Sequence, residues 1–123
     1  MPDPLAIIVE DDPFQAEIFS QALQQARYQA IICADGGQGL EQIRAHKPWL
    51  VVLDLQLPGL NGEQILDAIR ADEQLAQTQV IVATANPQMA ATLYESSDLV
   101  LIKPISFSQL RQLAERLYPD SHA

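Results

Sequence analysis

Five short apolar runs, at residues 5–9, 29–33, 49–54, 80–84 and 99–103, set the frame of this 123-residue chain. All but the second are continuously apolar over most of their length and show no polar–apolar alternation. A strand covered on both faces has no solvent side to make polar, so the pattern predicts a parallel sheet between two layers of helix. The second run is weaker and is expected at an edge.

Between the runs, apolar residues fall at helical spacing. Phe14, Ile18, Ala22 and Ala26 predict one stripe, and Leu40 with Ile43 a shorter one. Ile65, Leu66 and Ile69 predict a third, and Phe107, Leu110, Ala114 and Leu117 one near the end. Met89, Ala90, Leu93 and Tyr94 predict a short helix over residues 87–95. Asp12 before Pro13 reads as an N-cap with proline at the first helical position. Gln15 stands where a capping box places Glu or Gln, and Ser106 reads as the cap of the last helix. Strand and helix alternate five times, which predicts an α/β, doubly wound domain with right-handed crossovers.

Composition narrows what such a domain can do. Seven basic and 16 acidic residues give a net charge of −9, a field that repels nucleic-acid phosphates and anionic lipid. With 48% hydrophobic and 19% charged residues, the chain is globular rather than disordered. Its length buries enough surface to need no disulfide, and the single Cys33 is compatible with a reducing cytoplasm. The N-terminus lacks a secretory signal, and no run is long enough to cross a membrane. A cytoplasmic protein without direct nucleic-acid or membrane contacts is expected.

In an open parallel sheet, ligands bind beyond the carboxyl ends of the strands. There the sequence places Glu10, Asp11 and Asp12 after the first run, Asp54 at the end of the third, Thr84 after the fourth and Lys103-Pro104 after the fifth. Singly these are ordinary: Asp12 an N-cap, a strand-ending Asp a turn former, Lys103 a solvated charge. Jointly they are complementary. Clustered carboxylates repel unless neutralised, and an oxygen-rich cluster suits Mg²⁺. Lysine offers a point charge to a phosphoryl oxygen, and a threonine hydroxyl a donor to another. With one carboxylate as nucleophile, the product is an aspartyl phosphate.

These residues resemble the receiver domain of bacterial two-component response regulators. The likeness rests on Ile8-Val9-Glu10-Asp11-Asp12-Pro13, on Asp54-Leu55-Gln56-Leu57-Pro58-Gly59-Leu60-Asn61-Gly62, on Thr84-Ala85 and on Lys103-Pro104. It runs from about Leu5 to Leu117. The resemblance implies a five-stranded sheet in the flavodoxin-like order 2-1-3-4-5, with helices on both faces, in one domain spanning residues 1–123 (core about 5–118). Asp54 is the implied phosphoacceptor, Thr84 the switch hydroxyl and Lys103 the phosphoryl-binding lysine, with a cis Lys103–Pro104 bond. Mg²⁺ is implied at Glu10, Asp11, Asp54 and the Gln56 main-chain carbonyl, and Gly62 admits a close backbone turn. The acid pair directly following the strand is Glu10 with Asp11, which leaves Asp12 as the cap; the shifted pair Asp11 with Asp12 is the alternative. A sensor histidine kinase or histidine phosphotransfer protein is the implied donor, and a downstream protein target or a receiver homodimer the implied output. No effector domain is expected after Leu117, in a stand-alone receiver or a piece of a longer regulator.

Two features depart from the family pattern. Val100 stands three residues before Lys103, where receivers commonly carry Tyr or Phe, and the stretch from Thr84 to Lys103 is short. They favour a second reading, a receiver-like module that binds partners without phosphorylation; the intact polar set opposes it. An aspartyl phosphohydrolase needs a second Asp two residues after the nucleophile, where Gln56 stands, and three acids after the first strand repel a flavin phosphate. Elsewhere, Cys33 is expected in the core and Trp49 against a helix, with His46 at a helix end and His122 in a frayed tail. Arg111 and Arg116 are a solvated face or a partner surface. Gln56 and Asn86 flank the expected site.

Overall fold

A computed structural model describes residues 3–57, 60–88 and 99–119. In chain order these form β1 (Leu5–Val9), α1 (Pro13–Gln25), β2 (Gln29–Cys33), α2 (Gly36–His46), β3 (Leu50–Asp54) and α3 (Gly62–Ala71). A single 3-10 turn (Glu73–Leu75) leads to β4 (Gln79–Thr84), and then come β5 (Leu99–Ile102) and α4 (Phe107–Arg116). The sheet is parallel throughout in the order β2-β1-β3-β4-β5. The first run after β1 thus pairs outward and the next inward, which puts the weak run 29–33 at an edge as expected. Of the helix expected over residues 87–95, only Pro87 and Gln88 lie among the described residues, so the rest of that expectation falls outside them.

Alternate residues of the central strands feed two apolar layers. Ile7, Val9, Val51, Leu53, Val80 and Val82 pack against α2 and α3 through Ile43, Ile65, Leu66 and Ile69. Ala6, Ile8, Leu50, Val52 and Ile81 pack against α1 and α4 through Phe19, Leu23, Leu110 and Ala114. All five residues of β3 are buried, which explains its unbroken apolar run.

The stripe expected on α1 needs correction. Its buried face is Ala16, Phe19, Ser20, Ala22 and Leu23. Phe14 is 82% and Ile18 43% exposed. A strict i, i+4 ladder turns by about 40° per step, so four rungs cannot all face one sheet. The burying face instead alternates steps of three and four.

The helix starts fix the loops that carry the site. Asp12 Oδ1 accepts the N–H groups of Phe14 and Gln15 at 2.9 and 3.4 Å. Ser106 Oγ accepts the Gln109 N–H at 3.0 Å. Asn61 and Gln64 form a reciprocal capping box on α3, and Asp35 caps α2. At the far end of the strands, Tyr28 Oη donates to the Ala114 carbonyl at 2.8 Å and Trp49 Nε1 to the Leu117 carbonyl at 2.6 Å. These two donors satisfy carbonyls of the last turn of α4. Cys33 is buried, which pushes its thiol pKa up and keeps it a core residue.

Candidate functional site

The carboxyl ends of β1, β3 and β5 meet at one rim. Glu10 directly follows β1 and its side chain turns inward, leaving the residue 2% exposed. Asp54 ends β3 at 4% exposure, whereas Asp11 is exposed at the mouth. Carboxylate oxygens of Glu10, Asp11 and Asp54 all lie within 4.8 Å of one another. Asp12 is not in this group: its side chain caps α1, and its N–H donates to Glu10 Oε2 at 3.2 Å. Of the two acid pairs open in the sequence, the geometry brings Glu10 and Asp11 to Asp54.

Lys103 reaches this cluster from the end of β5. Its Nζ stands 3.1 Å from Glu10 Oε1 and 3.2 Å from Asp54 Oδ2, bridging both buried carboxylates. The other Asp54 oxygen, Oδ1, accepts the Gln56 N–H at 3.0 Å. The phosphoacceptor candidate therefore has each oxygen held by a different donor. Gln56 itself faces solvent. The Lys103–Pro104 bond is cis.

Thr84 ends β4 fully buried, and its carbonyl accepts the Lys103 N–H at 2.8 Å. Its Oγ1 accepts the Asn86 N–H at 3.0 Å. Thr84 thus ties its own loop to the strand that carries Lys103. Val100 is buried in the layer shared with α2 and α3 and lies opposite Val82.

The electrostatics follow from burial. Glu10 is pushed up to about 7, first by burial and then by its hydrogen bond to Asp54, against the donors of Asp12 and Lys103. Burial alone lowers the Lys103 pKa, but the Asp54 and Glu10 charges override it and hold the ammonium above its ordinary value. Three acids facing one ammonium leave excess negative charge, which is the condition for holding a divalent cation. The donor set is all oxygen with Asp11 open to solvent, so Mg²⁺ fits these residues.

A pH dependence follows. The folded state keeps on Glu10 a proton that the unfolded chain releases above about 4.5. That stability is present at low pH and lost as pH rises through about 7. Added Mg²⁺ needs the carboxylate, so its stabilising shift in Tm is expected to grow between about pH 5 and about pH 8. Thermal melts with and without the ion check this; a shift independent of pH contradicts it.

Gly62 shapes the loop after Asp54. A Cβ there would stand 2.6 Å from the Asp54 carbonyl oxygen and 2.5 Å from the Leu55 Cα. Because backbone rather than side chain is in the way, Gly62→Ala is expected to destabilise the fold by about 2 kcal/mol. Urea unfolding measures it, and an unchanged midpoint contradicts the close approach.

Two cavities, of about 370 and 240 Å³, lie at the opposite end of the strands. The first is bounded by Lys47, Trp49, Glu73 and Thr78, the second by Arg27, Glu115 and Tyr118. Neither touches the acid cluster. Two backbone donors, the N–H groups of Asp12 and Gln56, escaped the sequence reading because main-chain direction has no residue signature. No helix among the described residues is long and apolar enough to cross a membrane.

Comparison with known proteins gives this geometry a family. Residues 6–115 match the description "Response regulator receiver domain". The chain is 31% identical over 104 residues to the DNA-binding response regulator MtrA of Mycolicibacterium smegmatis, covering 85% of this chain and 46% of that protein. It is 29% identical over 110 residues to the transcriptional activator protein PfeR of Pseudomonas aeruginosa, covering 89% of this chain and 36% of that protein. The chain thus spans less than half the length of these relatives. Among solved structures, the receiver domain of the Francisella response regulator 1452 shares the fold at a TM-score of 0.84 and 24% identity, covering 94% and 97% of the two chains. The signal receiver domain of a histidine kinase from Syntrophus aciditrophicus superposes at a TM-score of 0.82 and 25% identity, covering 93% and 89%. With the five strands in order 2-1-3-4-5 and the acid cluster at their carboxyl ends, the chain belongs to the response regulator receiver domain family of two-component signalling.

Proposed function

We propose that this receiver takes a phosphoryl group onto Asp54 from a histidine kinase or histidine phosphotransfer protein and signals through protein contacts. The observation that carries the reading is Lys103 Nζ held between Glu10 Oε1 and Asp54 Oδ2, with Asp11 open beside them. In the step, an Asp54 carboxylate oxygen attacks phosphorus, a P–O bond forms, and the bond to the donor nitrogen breaks. Lys103 keeps its proton throughout and offers its charge to an equatorial phosphoryl oxygen. Thr84, anchored through Asn86 and Lys103, donates its hydroxyl to a phosphoryl oxygen and moves its loop with it. Glu10, Asp11, Asp54 and the Gln56 carbonyl would hold Mg²⁺. When bound, the ion would supply positive charge that neutralises the transferring group.

Asp11, exposed beside the buried carboxylates, leaves the site open on the side from which a protein donor would approach. The chain does not turn over a substrate; its chemistry is its own modification and the return from it. Intact mass after incubation with acetyl phosphate tests the proposal. One added phosphoryl group in the presence of Mg²⁺, and none with excess chelator, is expected. No addition under either condition overturns it in favour of a docking module that works without phosphate.

A further inference from the structure

α2 opens with Gly36-Gly37-Gln38-Gly39, three glycines in the first four helical positions. Glycine weakens a helix, so such a run needs a reason. None of the three has a left-handed φ, so conformational freedom does not supply one. Close contact does, at two of them. A Cβ on Gly36 would stand 1.9 Å from the Leu60 carbonyl oxygen and 2.9 Å from its carbonyl carbon. One turn on, along the same face, a Cβ on Gly39 would stand 2.8 and 2.9 Å from the two Val9 methyl carbons. Gly37 is exposed, and a Cβ there would make an ordinary contact with Asp35 Oδ1 at 3.4 Å.

Val9 and Leu60 belong to the two chain segments that carry the candidate metal ligands. Val9 ends β1 immediately before Glu10 and Asp11. Leu60 lies in the loop that follows Asp54 and contains Gln56, closed at its base by the Gly62 N–H on the Leu55 carbonyl at 3.4 Å. We propose that the first turn of α2 positions these two segments relative to each other, through Gly36 on the loop and Gly39 on the end of β1. It thereby sets the spacing between Glu10 and Asp11 on one side and Asp54 and the Gln56 carbonyl on the other. The inference rests on the reading of this cluster as a Mg²⁺ site. α2 is the firmer partner, because Leu40 and Ile43 anchor it in the core while Leu60 is only half-buried. A methyl group on Gly36 therefore displaces the loop rather than the helix, by more than ~1 Å to reach ordinary contact. Mg²⁺ demands near-ideal octahedral geometry, so it registers such a displacement.

Calorimetric titration of the whole chain with magnesium chloride reads this, at a temperature where circular dichroism shows each variant folded. Gly36→Ala is expected to weaken Mg²⁺ binding at least ~10-fold, the size of effect that supporting residues have on a metal site. Gly37→Ala is expected to leave affinity unchanged and, as a better helix former, to raise Tm. Thr78→Val removes the hydroxyl that donates to the Pro48 carbonyl at the far end of the sheet. It is expected to lower Tm with affinity unchanged, which separates lost stability from lost positioning. Gly39→Ala meets side-chain methyls rather than backbone, so it carries the test should Gly36→Ala fail to fold. It is expected to weaken binding at least ~3-fold, and Val9→Ala added to it to recover most of that loss. A folded Gly36→Ala or Gly39→Ala chain that binds Mg²⁺ as wild type does overturns the proposal. So does equal weakening in Gly37→Ala or Thr78→Val. A wild type that binds no Mg²⁺ overturns the reading of the site itself, and this inference with it.

Discussion

Lys103→Met is expected to destabilise the metal-free protein by about 3–5 kcal/mol at a pH near 8, the penalty for uncovering buried charge. Glu10 and Asp54 are 2% and 4% exposed, and the Lys103 ammonium is the cation that lies between them. Methionine keeps the length of the side chain and removes that charge, so two desolvated carboxylates face each other with Asp11 beside them. The loss shrinks at lower pH, where Glu10 takes up a proton and one of the two charges disappears. Added Mg²⁺ restores part of it, because the variant still has all three acids. Phosphoryl uptake from acetyl phosphate falls by roughly 100-fold in the same variant, since a preorganised charge for the transferring group is gone. Urea melts at two pH values and a time course of intact mass read both effects. A variant as stable as wild type at high pH contradicts the bridging role.

Asp54→Asn is expected to abolish phosphoryl uptake outright while leaving the fold intact. The amide keeps an oxygen for the Gln56 N–H, which Asp54 accepts at 3.0 Å. It lacks the nucleophilic charge and removes one of the three carboxylates. Above pH 7 the substitution relieves repulsion with Glu10 and costs one ion pair with Lys103. The two effects oppose each other, so Tm is expected to stay close to wild type, in contrast to Lys103→Met. Mg²⁺ affinity falls at least ~10-fold, as a site built on three acids loses one. Calorimetric titration and thermal melts separate these outcomes. Uptake that persists in Asp54→Asn moves the acceptor elsewhere.

The strands are legible in the sequence because a buried parallel strand has no polar face, so residues 50–54 cannot be confused with an amphipathic element. The edge position of β2 is legible from its weaker run. The α1 face is not, because regular spacing by four imitates a stripe while rotating away from the sheet, and Phe14 and Ile18 emerge on the solvent side. The capping box of Asn61 and Gln64 is hidden for a different reason: it lies directly behind the loop after Asp54, where the glycine is the more conspicuous residue.

At the site, residue identity is visible and geometry is not. Acids after β1 and β3 and a lysine after β5 announce complementary charge from residue types alone. The spacing does not say that Glu10 folds inward while Asp12 stays out to cap a helix; backbone direction at the strand end decides it. The double contact of Lys103 depends on register: Glu10 follows β1 level with Asp54, and Lys103 lies two residues beyond Leu101, the β5 residue at that level. Val100 is the departure with the clearest consequence. Valine in that buried position, opposite Val82, has no ring to relocate, so in the proposed switch a movement of Thr84 would pass through its own loop to Asn86.

The most direct test of the phosphoacceptor assignment is chemical mapping of the modified residue in the wild-type chain. After treatment with acetyl phosphate and Mg²⁺, borohydride reduction converts an aspartyl phosphate to homoserine, and peptide mass spectrometry locates it. Homoserine at position 54 alone is the predicted result. Homoserine in place of Asp11 or Asp12, or a reduced protein unchanged at every aspartate, contradicts it.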